Sequence, residues 1–340
     1  MKVLVTGSEG YIGTILVQEL LKKSFDVVGL DTNFYADGHL YPVSGIEYEL
    51  INKDVRNVTV EDLKGFEAVV HLAELSNDPL GQNDPELTFE INQGGTKILA
   101  EAAKQAGVKR FVYFSSCSIY GASENISDES TKPNPLTAYA ISKVKNEEML
   151  MKMNEESFTI TIFRNATVFG ASPRMRFDLV VNDLCALAHT EKIIRMTSDG
   201  SPWRPLVHVL DVCEAVRLTL NAPRSTIGGQ LFNVGSNDNN YQVRQLAEII
   251  AEVFPGCTTE FGDSTGDKRN YRVNFDRIQK VLPEFKTQCN VKKGAEELQK
   301  IFAEIHLTTE LHKSRLYTRL KQLEYLKSEH KVDNKLFWSK

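Results

Sequence analysis

The chain has 340 residues, of which 41% are hydrophobic and 25% charged, as expected for a soluble globular protein with a sizeable core. Its net charge is -5 and its lysines and arginines are scattered, which excludes a nucleic-acid-binding footprint. Five cysteines without a CxxC pair predict neither a disulfide framework nor a metal site, and no apolar run is long enough to span a membrane. We therefore expect a cytoplasmic protein without a metal, a nucleic-acid partner or a membrane anchor.

Short apolar runs alternate with helical patterns through the first half of the chain. The predicted strands are residues 2–6, 27–30, 68–72, 110–114 and 159–163, and the predicted helices between them are residues 11–23, 85–106 and 138–154. This rhythm predicts an α/β fold with a Rossmann-like, doubly wound parallel sheet. Such sheets bind ligands at the carboxyl ends of their strands.

The first strand is followed by a turn with three glycines, Gly7, Gly10 and Gly13, before the first helix. This is the context of a dinucleotide site, in which the backbone and the helix amides approach a pyrophosphate. Asp31 closes the second strand, where its carboxylate can bind ribose hydroxyls. Because residues 31–34 contain no arginine for a 2′-phosphate, the sequence favours NAD over NADP. A glycine-rich turn without a ligand, and Asp31 as a simple turn residue, are the alternatives.

Asp54 follows the predicted third strand, in the sequence Asp54-Val55-Arg56. From that position its carboxylate is expected to lie near the adenine of the same cofactor. A generic polar loop is the alternative interpretation.

Ser116 lies at the end of the fifth predicted strand, in a serine-rich segment. Parallel strands present their carboxyl ends at one edge, so we expect its hydroxyl to face the cofactor site. There it can bind a substrate oxygen and orient it for hydride transfer.

Tyr139 and Lys143 are four residues apart on a predicted helix and therefore share a face. Lowering the pKa of a phenol from ~10 to ~7 requires about 4 kcal/mol. An ammonium about 4 Å away supplies roughly that amount at an effective dielectric constant near 20. We expect Tyr139 to act as an acid and base assisted by Lys143, although an exposed helix with the same spacing is the alternative.

From Thr167 the alternation gives way to loops rich in proline, glycine and arginine. We predict an NAD-binding domain over residues 1–166, with return segments near 206–236, and a substrate-binding region with C-terminal helices over residues 167–340. Within these regions, residues 207–209 and 230–234 are candidate strands of the sheet, and residues 242–253 and 291–305 are predicted helices. The tail from His306 mixes leucines with many charges, which predicts an amphipathic surface or subunit-contact helix.

Together these segments resemble the extended short-chain dehydrogenase/reductase superfamily, and within it the NAD-dependent sugar-nucleotide epimerase/dehydratase family. The resemblance covers about residues 2 to 280, and its motifs occur in the family's order: the three glycines, Asp31, His71-Leu72-Ala73, Asn92-Gln93-Gly94-Gly95-Thr96, Tyr120-Gly121 and the Tyr139/Lys143 pair. It implies that Ser116, Tyr139 and Lys143 are catalytic. It also implies a homodimer and an NAD site formed by Gly7, Gly10, Tyr11, Ile12, Gly13, Asp31, Asp54, Val55, Leu72, Ala73, Asn92, Tyr139 and Lys143.

The resemblance also implies where a nucleotide-sugar substrate binds. The segment from Arg204 to Val212 is similar to the family's diphosphate-binding segment, and Arg269 is the candidate second arginine, although either is open to interpretation as a surface charge. The implied substrate contacts are Ser116, Cys117, Ser118, Tyr139, Asn165, Thr167, Arg204 and Arg269.

Three departures from the family's pattern bear on function. Cys117-Ser118 stand where the family's 4,6-dehydratases have Asp-Glu, and neither residue is an acid at neutral pH, which disfavours dehydration and decarboxylation. Thr167 replaces a substrate-binding asparagine of many relatives, and Asn165 is the candidate substitute. Cys117 is interpreted either as a proton-exchange group of the kind found in some epimerase/reductases or as a small buried residue near the sugar.

The sequence therefore favours an NAD-dependent nucleotide-sugar 4-epimerase that works through a transient 4-keto intermediate. The alternative is a nucleotide-sugar dehydrogenase or 4-ketoreductase of deoxysugar biosynthesis, which would use the same residues for half of the cycle. A cofactor-sensing binding protein on the same scaffold is a third hypothesis. The identity of the nucleotide and of the sugar is left open.

Overall fold

The computed structural model describes residues 1–42, 47–76, 84–262 and 269–339. Its strands are β1 (Lys2–Thr6), β2 (Asp26–Asp31), β3 (Glu49–Asn52), β4 (Ala68–His71), β5 (Arg110–Ser116), β6 (Ala122–Ser127), β7 (Thr159–Asn165), β8 (Thr167–Phe169), β9 (Ile193–Arg195), β10 (Trp203–His208), β11 (Gln230–Val234), β12 (Asn240–Gln242), β13 (Thr258–Glu260) and β14 (Asn270–Val273). Its helices are α1 (Tyr11–Lys22), α2 (Pro85–Thr88), α3 (Thr96–Gln105), α4 (Ala138–Met153), α5 (Val180–Thr190), α6 (Val209–Asn221), α7 (Arg224–Ile227), α8 (Val243–Val253), α9 (Asp276–Val281), α10 (Val291–Glu304), α11 (Thr309–His312) and α12 (Arg319–Ser328).

Seven parallel strands form the central sheet, in the order β11-β7-β5-β4-β1-β2-β3. The chain moves outward from β1 in one direction through β2 and β3, and in the other through β4 and β5. This reversal opens a crevice above the carboxyl ends of β1 and β4, where doubly wound sheets bind ligands. The predicted Rossmann-like fold is confirmed.

The central strands are apolar because helices cover both faces of the sheet. All four residues of β4 and all seven of β7 are buried, as in parallel sheets that lie between helical layers. The helices α1 and α6 pack together on one face, whereas α3 and α4 lie against the other. This packing fixes the strand ends that carry the predicted site residues.

Smaller sheets surround the central one. Residues 230–234 join the central sheet as predicted, through pairing of β11 with β7. Residues 207 and 208 belong to β10, which does not join the central sheet. Instead, β10 pairs with β8 and β12 in a separate three-stranded sheet. Residue 209 begins α6. The division of the chain at residue 166 stays a prediction.

The helix predicted over residues 85–106 is interrupted. Between α2 and α3 the chain forms a π-helical segment, Phe89–Gly95, which widens the turn and directs Asn92 into the interior. Gly95 permits a close approach here, since a Cβ at this position would lie 2.7 Å from Cγ2 of Val55.

The tail from His306 is not one continuous surface helix. It forms α11, a 3-10 turn at Arg315–Tyr317, and α12. Its apolar side chains pack against the loop after β2 in what we call the tail cluster: Phe34, Leu75, Leu87, Ile91, Leu323, Leu326, Val332 and Leu336. In the described parts of the chain, no helix combines the length and the apolarity that crossing a membrane requires.

Candidate functional site

A cavity of about 590 Å³ lies above the carboxyl ends of the central strands. Its lining includes the residues at the ends of β1, β2, β4, β5 and β7, the first two turns of α4, the start of α12, and loops of the second half. Most of the predicted site residues line this one cavity: Gly7, Gly10, Tyr11, Ile12, Gly13, Asp31, Asp54, Val55, Leu72, Ala73, Ser116, Ser118, Tyr139, Lys143, Asn165, Thr167, Arg204 and Arg269. Asn92 and Cys117 are the exceptions.

The glycine turn, residues 7–13, is packed backbone against backbone. Gly7 has a φ of +73°, and a Cβ there would lie 2.9 Å from the amide nitrogen of Ala73. A Cβ on Gly13 would lie 2.0 Å from the carbonyl oxygen of Gly7. The start of α1 has no side-chain cap, so its first amides are available to an anion in the cavity. These features fit the diphosphate of a dinucleotide.

Asp31 is positioned to bind a ribose. Its carboxylate accepts hydrogen bonds from the backbone amides of Glu9, at 3.0 Å, and Asn33, at 2.8 Å. Burial raises its pKa above the usual value, and hydroxyl donors from a ribose would offset this desolvation. Glu9 lies beside it and pairs with Arg174 at 2.7 Å, so Asp31 is the carboxylate of this pair that lines the cavity, where it is unfavourable for a 2′-phosphate. The geometry fits NAD.

Asp54 is held at the same end of the cavity. It forms an ion pair with Arg56 at 2.7 Å and accepts the backbone amide of Arg56 at 2.8 Å. Val55 lies beside it in the wall.

Asn92 supports the site from behind the wall. Its side chain is fully buried, with Oδ1 accepting from the amide of Leu75 at 2.8 Å and Nδ2 donating to the carbonyl of Leu75 at 3.0 Å. The prediction of a direct cofactor contact therefore needs correction, because the π-helical segment turns this side chain away from the cavity.

The side chain of His71 is also buried behind the wall of the cavity. Burial lowers its pKa to about 3, so its imidazole is neutral.

Ser116, Tyr139 and Lys143 all line the cavity. Thr137 caps α4 by accepting the amide of Ala140 at 3.2 Å, which places Tyr139 in the first helical turn. Lys143 follows one turn later, with Nζ 5.4 Å from the centroid of the Tyr139 ring. Ser116 ends β5, and its Oγ accepts the amide of Ser118 at 3.1 Å.

Sequence reasoning missed Glu74. Its Oε2 lies 2.6 Å from Nζ of Lys143, and the two side chains are only 2% and 5% exposed. Nζ also donates to the carbonyl of Phe114. The ammonium is therefore fixed between a carboxylate and a carbonyl, and it is not the isolated cation that the sequence suggested. A single glutamate after His71-Leu72-Ala73 gives no recognisable signal for such a pair.

The carboxylate of Glu74 is itself tightly held. Its Oε1 accepts hydrogen bonds from the Tyr113 hydroxyl at 2.8 Å, and from Thr96 Oγ1 and Asn146 Nδ2, each at 3.2 Å. These donors come from β5, α3 and α4, so three elements fix its position.

Cys117 lies behind the wall of the cavity. The 3-10 turn after β5 directs its fully buried side chain away from the cavity, and Sγ donates to the carbonyl of Arg164 at 3.2 Å. Burial raises the pKa of this thiol well above its usual value. Of the two interpretations of Cys117, this position favours the small buried residue, and Cys117 does not line the cavity.

Ser118 and Asn165 are the polar groups that face the cavity at this point. Both are buried, and Oγ of Ser118 and Oδ1 of Asn165 have no hydrogen-bond partner among the described residues. Buried polar atoms are normally satisfied, so these two indicate a polar ligand. Thr167, two residues beyond Asn165, also lines the wall.

The structure brings Arg204 and Arg269 together. Arg204 extends from β10, and its Nη1 donates to the carbonyl of Trp203 at 2.8 Å and to the carbonyl of Arg269. Both residues line the cavity, which fits a diphosphate-binding role better than two separate surface charges.

His208 is buried and pairs with the partly exposed Glu297, with Nε2 2.9 Å from Oε2. Burial alone would lower the pKa of His208, but hydrogen bonds to Cys289 and Glu297 outweigh it and raise the pKa to about 9. An imidazole in the unfolded chain has a pKa near 6.5. The pair therefore stabilises the fold fully below about pH 6.5, and this stabilisation disappears as the pH rises through 9.

We predict that the free energy of unfolding falls by up to about 3 kcal/mol between pH 6.5 and 9.5 because His208 loses its proton. Urea denaturation at several pH values would measure this slope. In His208→Gln, which has no titrating group at this position, the slope in this window should be shallower. An unchanged slope in that variant would contradict the assignment.

Comparison with known proteins agrees with the geometry. The family model described as NAD dependent epimerase/dehydratase family matches residues 3–235. The chain is 31% identical to a UDP-glucose 4-epimerase of Mycolicibacterium smegmatis over 83% of its own length and 92% of that relative. It is 26% identical to the mouse dTDP-D-glucose 4,6-dehydratase, over 88% of its length and 89% of that protein.

A solved structure is similar throughout. MoeE5 in complex with UDP-glucuronic acid and NAD superposes with a TM-score of 0.77 and 28% identity, covering 89% of this chain and 99% of MoeE5. This protein belongs to the NAD-dependent epimerase/dehydratase family, whose members are enzymes of the extended short-chain dehydrogenase/reductase type acting on nucleotide sugars.

Proposed function

We propose that this enzyme is a nucleotide-sugar 4-epimerase that keeps its NAD bound and works through a transient 4-keto intermediate. The observation that carries the proposal is that one cavity joins the glycine turn, the Tyr139/Lys143 pair and the two arginines Arg204 and Arg269. A sugar held between the dinucleotide and the arginines would place its ring beside Tyr139. The 31% identical UDP-glucose 4-epimerase supports this reaction.

In the proposed reaction, Tyr139 acts as the base for the C4 hydroxyl of the sugar. The phenolate oxygen takes the hydroxyl proton while the C4–H bond breaks, and a ketone forms at C4. Bound NAD would supply a reversible acceptor for the hydride. Ser116 is placed to donate a hydrogen bond to the C4 oxygen, and Lys143 favours the phenolate. Tyr139 returns the proton to the same oxygen in the second half of the cycle.

Inversion requires the ketone to present its other face. Arg204 and Arg269 would hold the diphosphate, which lies away from the reacting carbon, so that the sugar turns about its bonds to the nucleotide without leaving. The unpaired oxygens of Ser118 and Asn165 offer hydrogen bonds to sugar hydroxyls in the cavity.

The side chains after Ser116 weigh against dehydration. Loss of water across C5 and C6 needs a base and a proton-donating acid, but Cys117 is buried in the core and Ser118 is a hydroxyl. The carboxylates that line the cavity are engaged: Glu74 with Lys143, Asp54 with Arg56, Asp178 with Arg176, Asp183 with His312, and Asp31 with the backbone amides of Glu9 and Asn33.

The test is incubation of the purified enzyme with UDP-glucose, UDP-galactose and the corresponding dTDP-, CDP- and GDP-sugars, without added cofactor. We expect a C4 epimer from at least one pair. A substrate deuterated at C4 should give a product that keeps the deuterium at C4, because the same hydride returns to the carbon it left.

The alternatives give different outcomes. Turnover only with stoichiometric reduced cofactor would identify a 4-ketoreductase, and net reduction of added NAD would identify a dehydrogenase. A product whose mass is lower than that of the substrate by one water molecule would identify a dehydratase. It would contradict the conclusion that Cys117 and Ser118 cannot support dehydration. Tyr139→Phe serves as the control for each activity.

A further inference from the structure

The C-terminal tail covers the loop that follows β2, next to the cofactor end of the cavity. Gln322 Nε2 donates to the carbonyl of Phe34 at 2.9 Å, and Trp338 Nε1 donates to the carbonyl of Thr32 at 2.6 Å. The tail cluster seals the contact with apolar side chains from both segments. The tail therefore packs against the loop that directly follows Asp31.

Arg319, the first residue of α12, lines the cavity. It is 5% exposed, and its guanidinium stacks on Tyr35, 4.0 Å from the ring centroid. Its Nη2 donates to the carbonyl of Arg174 at 3.2 Å. The position is close to the glycine turn, because Ser172 Oγ accepts the amide of Arg174 and donates to the carbonyl of Tyr11 at 2.8 Å.

Charge compensation distinguishes Arg319 from the arginines beside it. Arg174 pairs with Glu9 at 2.7 Å, and Arg176 pairs with Asp178 at 2.9 Å. For Arg319, no carboxylate of the described residues lies within 4.0 Å. Burial and the nearby charges of Arg176 and Arg174 lower its pKa to about 10, although Tyr35 and the more distant carboxylate of Asp178 partly oppose this shift. A buried cation is costly unless it is paired, so this site calls for an anion.

We propose that Arg319 binds the diphosphate of NAD from the side opposite the glycine turn, so that the tail acts as a clamp on the cofactor. The amides at the start of α1 would contact one side of the diphosphate, and the guanidinium would make charge-assisted hydrogen bonds from the other. The diphosphate of the nucleotide sugar is a second possible anion, but Arg204 and Arg269 already provide two cations for it. The proposal depends on NAD binding and not on which reaction the enzyme performs.

The test compares Arg319→Met with Lys321→Met, an exposed lysine on the same helix. Calorimetry on cofactor-stripped protein would give the dissociation constants for NAD, for ADP-ribose and for UDP. We expect Arg319→Met to weaken NAD and ADP-ribose by tenfold to a hundredfold, and UDP by less than twofold. Lys321→Met should bind all three like the parent protein.

Two further results make the test decisive. Arg319→Lys keeps the charge and should recover part of the NAD affinity, provided that thermal melts show all variants folded. If Arg319→Met binds NAD within twofold of the parent, the proposal is wrong. If it loses UDP affinity and keeps NAD affinity, Arg319 belongs to the nucleotide-sugar site. The dissociation constants for NAD and for UDP test the role of Arg319 whichever reaction the enzyme catalyses, including that of a ketoreductase.

Discussion

Replacing Tyr139 with phenylalanine is expected to reduce kcat by a factor of about 10² to 10⁴, the usual contribution of a positioned acid or base. The change removes one oxygen and leaves the ring that packs near Lys143, so the affinity for NAD and for UDP should stay within a few-fold of the parent value. Initial rates with saturating nucleotide sugar, together with calorimetry of both ligands, would measure the two effects separately.

The matched control is Tyr325→Phe on α12, whose hydroxyl accepts only a surface contact from Lys331 at 3.3 Å among the described residues. It should have the parent kcat. If Tyr139→Phe turned over at the parent rate, acid and base catalysis by this residue would be excluded. If the variant instead lost NAD, the hydroxyl would have a binding role.

Replacing Glu74 with glutamine is expected to move the acid limb of the pH–rate profile to lower pH by about one unit or more. The Glu74 carboxylate lies within about 8 Å of the Tyr139 ring centroid, because Nζ of Lys143 is 5.4 Å from that centroid and 2.6 Å from the carboxylate. At an effective dielectric constant near 20, such a charge opposes the phenolate by about 2 kcal/mol. Removing it makes the active phenolate easier to form. The measurement is kcat as a function of pH.

Glu74→Asp provides the control, because it keeps the charge on a shorter side chain. It should leave the acid limb near the parent position even if kcat falls through loss of contact with Lys143. If the acid limb of the pH–rate profile moved equally in both variants, or moved to higher pH in Glu74→Gln, Glu74 would not act through its charge.

Glu74→Gln also leaves the buried ammonium of Lys143 without its carboxylate partner. We therefore expect the free energy of unfolding to fall by about 3 to 5 kcal/mol, measured by thermal or urea unfolding.

The predicted site residues that the structure brings into one cavity depend on short-range spacing. The glycine turn joins one strand to one helix, and Tyr139 and Lys143 are one helical turn apart, so local geometry alone brings these groups together. The doubly wound parallel sheet followed from the alternation of strands and helices. For the same reason, the positions of Asp31 and Ser116 at strand ends could be predicted.

The missed features depend on packing between distant segments. Glu74 meets Lys143, and Arg319 meets Arg174, only after the sheet and the tail have assembled. No periodicity in the sequence marks such pairs. Asn92 lies behind the wall of the cavity because a π-helical segment replaces a regular helical turn, and Cys117 does so because a 3-10 turn directs its side chain inward.

The clamp formed by α12 has a consequence for biosynthesis. A ribosome completes the strands of the central sheet well before it adds residue 319, and N-terminal segments fold first during synthesis. The nucleotide-binding half of the molecule can therefore form while its last wall is still missing. Premature termination before α12 would leave a folded sheet that captures the coenzyme and releases it too readily.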